Sequence, residues 1–200
     1  MIRVVLAEDQ AMLRQAMVQL MQLHDAIHVV ADVGEGQAAL KAVQKYPVDV
    51  VILDVEMPGL TGLEVLKHIR EQAIDVKVII VTTFKRPGYF ETAVAHDVDA
   101  YVLKERSVDE LVQTIHHVMA GQKEYSDALM TSFVTERNPL TDKEQRVLKE
   151  IGKGLTSKEI AQTLYLSDGT IRNYTSTIID KLQADNRFDA WKKAYEKGWV

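Results

Sequence analysis

The chain has 200 residues, 46% of them hydrophobic and 26% charged, the balance of an ordinary folded protein with room for two domains. It has no cysteine, which excludes disulfide frameworks, thiolate zinc sites and cysteine nucleophiles. The net charge of −5 is unevenly spread: residues 139–200 carry eight Lys and three Arg against nine acids, residues 1–138 carry 13 bases against 20 acids, and any polyanionic partner is expected at the rear. The opening Met1–Gln10 lacks a signal-peptide core and no stretch is apolar enough to span a bilayer, so a cytoplasmic protein without a membrane partner is expected.

In the front half, short β-branched runs at Ile2–Ala7, His28–Val33, Val48–Leu53, Val76–Thr82 and Ala100–Leu103 alternate with segments of helical period. Near-continuous Val/Ile/Leu runs suit strands buried on both faces. Helices are predicted over Gln10–Leu23, Gly36–Lys45, Gly62–Glu71, Gly88–Ala95 and Val108–Met119. Five strands and five helices in about 120 residues predict a five-stranded, parallel, doubly wound α/β sheet of the flavodoxin-like kind. Gly121 ends the last helix, and residues 121–138 are expected to be a partly structured linker in which ALMTSFV forms a short helix. From Pro139 onward every segment has helical period, which predicts a small all-α domain over residues 139–200.

Ligands of such sheets bind outside the carboxyl ends of the strands. Glu8 and Asp9 follow the first strand, Asp54 the third, Thr82 and Thr83 the fourth, and Lys104 the fifth. Three carboxylates gathered there repel one another, and a hard divalent cation with oxygen ligands, Mg²⁺, relieves them. A carboxylate beside Mg²⁺ can attack a phosphoryl group to form an acyl phosphate, whose oxygens the Thr82 hydroxyl and Lys104 ammonium would bond. One such ion pair at ~4 Å is worth roughly 4 kcal/mol before desolvation, enough to move a loop.

Glu8-Asp9, Asp54 followed by MPGLTG, Thr82-Thr83 and Tyr101-Val102-Leu103-Lys104 together resemble the receiver domain of two-component response regulators over residues 1–120. The resemblance implies that Asp54 is the phosphoacceptor, fed by a cognate histidine kinase. It implies that Glu8 and Asp9 form the acidic pocket, with the metal on Asp9, Asp54 and the Glu56 backbone carbonyl. It also makes Thr82 and Tyr101 switch residues and Lys104 the phosphate-contacting lysine. Such a protein is a switch that accepts a phosphoryl group, not a turnover enzyme. The rival from enzyme chemistry, a phosphohydrolase, needs a cap segment for its substrate, and none is visible.

In the tail, Thr141 and Glu144 form a capping box, Thr156 caps a second helix, and Leu166–Thr170 is the expected turn before a third. Two short helices joined by a tight glycine-containing turn form a helix-turn-helix. Thr170, Arg172, Asn173, Ser176 and Thr177 lie off the apolar stripe of Ile171, Tyr174, Ile178 and Leu182. Arg suits guanine or phosphate and Asn suits adenine. LTDKE, GLTSKEIAQTL, LSDGTIRNY and IIDKLQADNRFDA resemble the LuxR-type DNA-binding domain of NarL/FixJ regulators. That resemblance puts Arg172, Asn173 and Lys181 on DNA and Thr156, Ser157, Lys158 and Thr170 on its phosphates. The chain departs from the pattern at Tyr174, where His is usual, and at Ser176, where a base is usual.

One such domain reads few base pairs, so a homodimer on promoter half-sites is expected, favoured by phosphorylation. A constitutive DNA binder with a receiver serving only to dimerise is the alternative. The first helix spreads Met12, Leu13, Ala16, Met17, Val18, Leu20, Met21 and Leu23 over two-thirds of its circumference, and Val18 and Met21 are taken as the surplus that faces a partner. Thr83-Phe84-Lys85-Arg86-Pro87-Gly88-Tyr89-Phe90, directly after the switch threonine, is a second candidate surface. It is similar to a membrane-fluidity regulator of this family, a match of eight residues that assigns no stimulus.

Overall fold

The computed structural model describes residues 1–83 and 86–200, the side chains of 132–135 excepted. Two compact units make up the chain: Met1–Lys85 with Phe90–Thr131, and Ser132–Val200 with Arg86–Tyr89. Among the described residues no helix is long and apolar enough to cross a membrane.

In the first unit the apolar runs become β1 (Ile2–Ala7), β2 (Ile27–Val33), β3 (Val50–Asp54), β4 (Lys77–Thr82) and β5 (Ala100–Leu103). They alternate along the chain with α1 (Ala11–Met21), α2 (Gly36–Lys45), α3 (Gly62–Glu71), α4 (Pro87–Ala95, in this unit from Phe90) and α5 (Val108–Met119). Both β3 and β5 are buried along their whole length, as strands covered on two faces must be, whereas edge strand β2 is only partly so. Register levels the strand ends: Ala7 pairs with Leu53, Asp54 with Val81 and Thr82 with Leu103.

The sheet has six strands where five are expected. All pairings are parallel, in the order β2-β1-β3-β4-β5-β6, and β6 is the dipeptide Glu124–Tyr125 inside the expected linker. Glu124 donates its N–H to Asp99 and Ser126 to Tyr101, both at 3.1 Å. Two residues carry no periodic signal. What holds them is polar: the Glu124 carboxylate accepts from Arg106, from the Thr114 hydroxyl at 3.1 Å and pairs with His117 at 2.7 Å. The short helix expected from ALMTSFV is α6 (Asp127–Thr135).

The surplus face assigned to α1 is also corrected. Met21 is fully buried, and Val18 packs against the core made by Leu6, Met17, Ile27, Val112 and Ile115. Met21 belongs to the same cluster, which holds Ile27 of β2 and Val112 and Ile115 of α5. The apolar side chains that α1 leaves in water are Met12, Leu20 and, just past its end, Leu23.

The second unit is helical: α7 (Asp142–Gly152), α8 (Ser157–Leu164), α9 (Asp168–Lys181) and α10 (Arg187–Glu196). Thr141 with Glu144 and Thr156 with Glu159 form reciprocal capping boxes, while Ser167 and Asn186 cap α9 and α10. Val147, Leu148, Ile151, Ile160, Ile171 and Ile178 meet in its core, each burial contributing roughly 1.5–3 kcal/mol. The turn between α8 and α9 differs from expectation. Tyr165 takes the left-handed conformation at φ 55°, and Gly169 lies inside the first turn of α9. Leu166 N–H closes that turn on the Ala161 carbonyl at 2.9 Å.

Candidate functional site

Glu8 and Asp9 leave the end of β1, Asp54 is the last residue of β3, Thr82 the last of β4, and Lys104 follows β5. Because parallel strands end at one edge, the register brings these side chains to one place. Carboxylate oxygens of Glu8, Asp9 and Asp54 lie within 4.8 Å of one another, and they are the group of metal-ligating side chains found among the described residues. Lys104 Nζ stands 2.6 Å from Glu8 Oε2 and 2.9 Å from Asp54 Oδ2. The three side chains are 9%, 2% and 6% exposed, so this ion triad is nearly desolvated. The second oxygen of each acid is also bonded: Val55 N–H donates to Asp54 Oδ1 at 2.7 Å and Gln10 N–H to Glu8 Oε1 at 3.2 Å. Asp9 is exposed.

Burial pushes the Asp54 and Glu8 carboxyls above the usual carboxylate range, although Lys104 opposes the shift. Burial works against the Lys104 charge too, but the hydrogen bonds it donates to Glu8 and Asp54 outweigh it and hold the ammonium above its ordinary value. Three carboxylates against one ammonium leave two negative charges uncompensated when all are ionised. A divalent cation neutralises that remainder, and an all-oxygen donor set suits Mg²⁺. The residues present fit such an ion.

The β3–α3 loop is built around glycine. A Cβ on Gly62 would lie 2.1 Å from the Asp54 carbonyl oxygen, and Gly59 sits at φ +77°, where a side chain is strained. Thr61 opens α3 with a capping box to Glu64. Glu56 is half-buried in this loop, two residues beyond Asp54. Thr82 is fully buried, and its carbonyl accepts the Lys104 N–H at 2.9 Å, tying the β4 and β5 ends together. Tyr101 is fully buried within β5 and meets the edge of Phe90 at 5.4 Å; Phe90 meets Tyr125 of β6 at the same distance. Of the second candidate surface, Phe84 and Lys85 lie outside the described residues.

Position along the chain did not single out Arg14. Its Nη1 donates to the Glu8 carbonyl at 2.6 Å and its Nε to Asp32 Oδ2 at 3.2 Å. The available signal was an arginine one turn into the helix that follows the acidic pair.

In the second unit α9 buries Ile171 and Ile178 and leaves Arg172, Asn173, Ser176 and Thr177 exposed on another face. Arg172 Nη2 pairs with Asp168 Oδ2 one turn back at 2.5 Å. Lys158 is exposed near the start of α8, and Ser157 and Thr170 are half-buried. The Thr156 hydroxyl is engaged with Glu159 at 2.7 Å and that of Thr170 with Ser167 at 2.8 Å. Lys181, at the far end of α9, places its ammonium 2.8 Å from Glu144 Oε2. Glu144 is buried, which opposes its charge, yet the bonds from Lys181 and Thr141 hold its carboxyl below the usual range. Lys181 therefore ties α9 to α7.

Residues 4–116 match the response regulator receiver domain family and residues 138–194 the luxR family of bacterial regulatory proteins. The chain is 44% identical over 199 residues to the transcriptional regulatory protein DesR of Bacillus subtilis (strain 168), covering 100% of this chain and 99% of that one. The likeness expected over eight residues thus runs the full length. It is 28% identical over 198 residues to the nitrate/nitrite response regulator NarL of Escherichia coli (strain K12), covering 94% and 92%. A crystal structure of a LuxR-family DNA-binding response regulator from Staphylococcus aureus shares 60% identity, covering 60% of this chain and 99% of that one, with a TM-score of 0.58. The chain belongs to the NarL/FixJ response regulators of two-component systems, transcriptional regulators that join a receiver to a LuxR-type DNA-binding domain.

Proposed function

We propose that Asp54 accepts a phosphoryl group from the phosphohistidine of a cognate histidine kinase, and that the modified chain binds promoter DNA as a homodimer. The observation that carries this reading is a desolvated carboxylate, Asp54, held at a strand end by Lys104 and Val55 N–H beside two further acids. We assign residues 1–120 to the receiver, 121–138 to a connector holding β6 and α6, and 139–200 to the DNA-binding domain.

In the transfer an Asp54 carboxylate oxygen forms the new P–O bond as the P–N bond to the kinase imidazole breaks. Mg²⁺, held by Glu8, Asp9, Asp54 and the Glu56 carbonyl, would supply charge neutralisation to the phosphoryl oxygens. Lys104 keeps its bond to Glu8 while its contact with Asp54 passes to a phosphoryl oxygen, a pairing that moves the β5–α5 connection. Thr82 donates its hydroxyl to the same group, and Tyr101 responds from the neighbouring strand. On DNA, Arg172 and Asn173 read bases. Thr156, Ser157, Lys158 and Thr170 hold phosphates, and Lys181 contributes charge near the groove while steadying α9. Exposed Met12, Leu20 and Leu23 support a receiver contact that buried Met21 does not.

The test is labelling by a phosphoryl donor in the presence of Mg²⁺. Asp54→Asn is expected to abolish labelling; incorporation at the wild-type level would contradict the assignment.

A further inference from the structure

The backbone of Glu8 is gripped on both sides. Its N–H donates to the Val33 carbonyl at the end of β2, at 3.0 Å. Its own carbonyl accepts Arg14 Nη1 at 2.6 Å, a short, charge-assisted bond. The same guanidinium reaches across to Asp32 Oδ2 at 3.2 Å, so one planar fork joins α1, the β1–α1 connection and β2. The Arg14 side chain is 18% exposed and lies in a notch that Gly34 keeps open, since a Cβ there would stand 3.1 Å from Nη1.

The Asp32 pairing does not by itself explain this placement. Asp32 is 44% exposed, and such surface pairs contribute about 0–1 kcal/mol. The bond to the Glu8 carbonyl is different in kind, because it fixes the peptide that joins Glu8 to Asp9. From the two residues of that peptide come two of the three carboxylates in the acidic cluster. We infer that Arg14 is a positioning residue for the divalent-cation site: it orients the Glu8–Asp9 peptide so that both acids converge with Asp54, without touching the ion itself. This rests on the reading of the cluster as a Mg²⁺ site.

Electrostatics and positioning make opposite predictions. A guanidinium beside the cluster repels a cation, so its field alone predicts tighter Mg²⁺ binding once it is removed. Positioning predicts weaker binding, since losing a group that orients a ligand typically costs about 10–100-fold in metal affinity.

The experiment titrates MgCl2 into the unphosphorylated full-length protein and follows the backbone amide resonances of residues 9, 54 and 55. Arg14→Gln and Arg14→Lys are both expected to need roughly tenfold or more Mg²⁺ for half-saturation, the lysine variant because it keeps the charge but loses the fork. Gly34→Ala crowds Nη1 with every charge intact, and it is expected to shift the titration in the same direction by a smaller factor. It also serves if the Arg14 variants fold poorly. Unchanged or tighter binding in the variants, beside a normal wild-type response, would overturn the role of Arg14 alone. A wild-type chain with no Mg²⁺ response would overturn the cation site itself and the role of Arg14 with it.

Discussion

Lys104 lies nearer to Glu8 than to Asp54: its Nζ is 2.6 Å from Glu8 Oε2 and 2.9 Å from Asp54 Oδ2. The lysine therefore has an anchor that survives when Asp54 is modified. Because all three groups are nearly desolvated, removing the cation from this triad exposes two buried carboxylates to each other. Lys104→Ala is expected to cost about 3–5 kcal/mol of unfolding free energy at neutral pH. Glu8 and Asp54 titrate above their ordinary values in the folded chain, so protonating them relieves the loss. The deficit should shrink as pH falls through their folded range. Urea denaturation of both proteins from pH 7 to 4 checks this, and a pH-independent deficit would contradict it.

A second expectation concerns the loop behind the acceptor. Gly62→Ala would put a methyl group 2.1 Å from the Asp54 carbonyl oxygen, and backbone has nowhere to yield cheaply. The expected cost is roughly 1–3 kcal/mol, with slower labelling of Asp54 because the strand end shifts. Thermal unfolding and labelling kinetics, measured on one preparation, test both parts.

The Arg3–Asp49 pair predicts a specific acid limb. Arg3 donates to the Asp49 carboxylate from Nε at 2.9 Å, from Nη2 at 2.7 Å and from its backbone N–H at 2.8 Å, which holds the Asp49 carboxyl down to about 2. A carboxyl depressed by folding stabilises fully above its unfolded pKa of about 3.9, and that contribution disappears as pH falls through the folded value. Asp49→Asn should therefore be less stable than wild type at pH 5, with the gap closing between about pH 4 and pH 2. A gap that stays constant over that interval would refute the assignment.

The α9 surface separates two kinds of DNA contact. Arg172→Ala is expected to relax sequence preference at one position of a selected duplex, at a cost of about 1–3 kcal/mol on the preferred base. Lys158→Ala is expected to weaken binding to all sequences alike and to reduce the salt slope of log K by about 1. Binding measured against salt concentration on selected and scrambled duplexes distinguishes the two.

The strand ends were readable from the chain because β-branched runs, the residues that follow them and parallel topology are all local or general features. Asp54, Glu8, Asp9 and Lys104 could be brought together on those grounds. The capping box at Thr141 and the cap at Thr156 were readable for the same reason, since each is a pattern within four residues. What escaped was non-local or too short to be periodic. Strand β6 is held by its pairing with β5 and by Glu124 meeting Arg106, Thr114 and His117, contacts within residues 106–124 that follow no helical or strand period. Met21 looked surplus on a helical projection because the projection does not know that α1 is covered on one side by α5 as well as by the sheet. The left-handed turn fell on Tyr165 although Gly169 stood four residues later, because Ser167 had already started α9.

Phosphorylation of Asp54 is expected to set the grip on DNA. The direct measurement is the affinity of the full-length protein and of Asp54→Asn for a selected promoter duplex, each with and without phosphoryl donor and Mg²⁺. The donor is expected to raise wild-type affinity at least tenfold, about 1.4 kcal/mol, and to leave the variant unchanged. Equal affinity of the wild-type protein with and without donor, under conditions in which Asp54 is labelled, would contradict it.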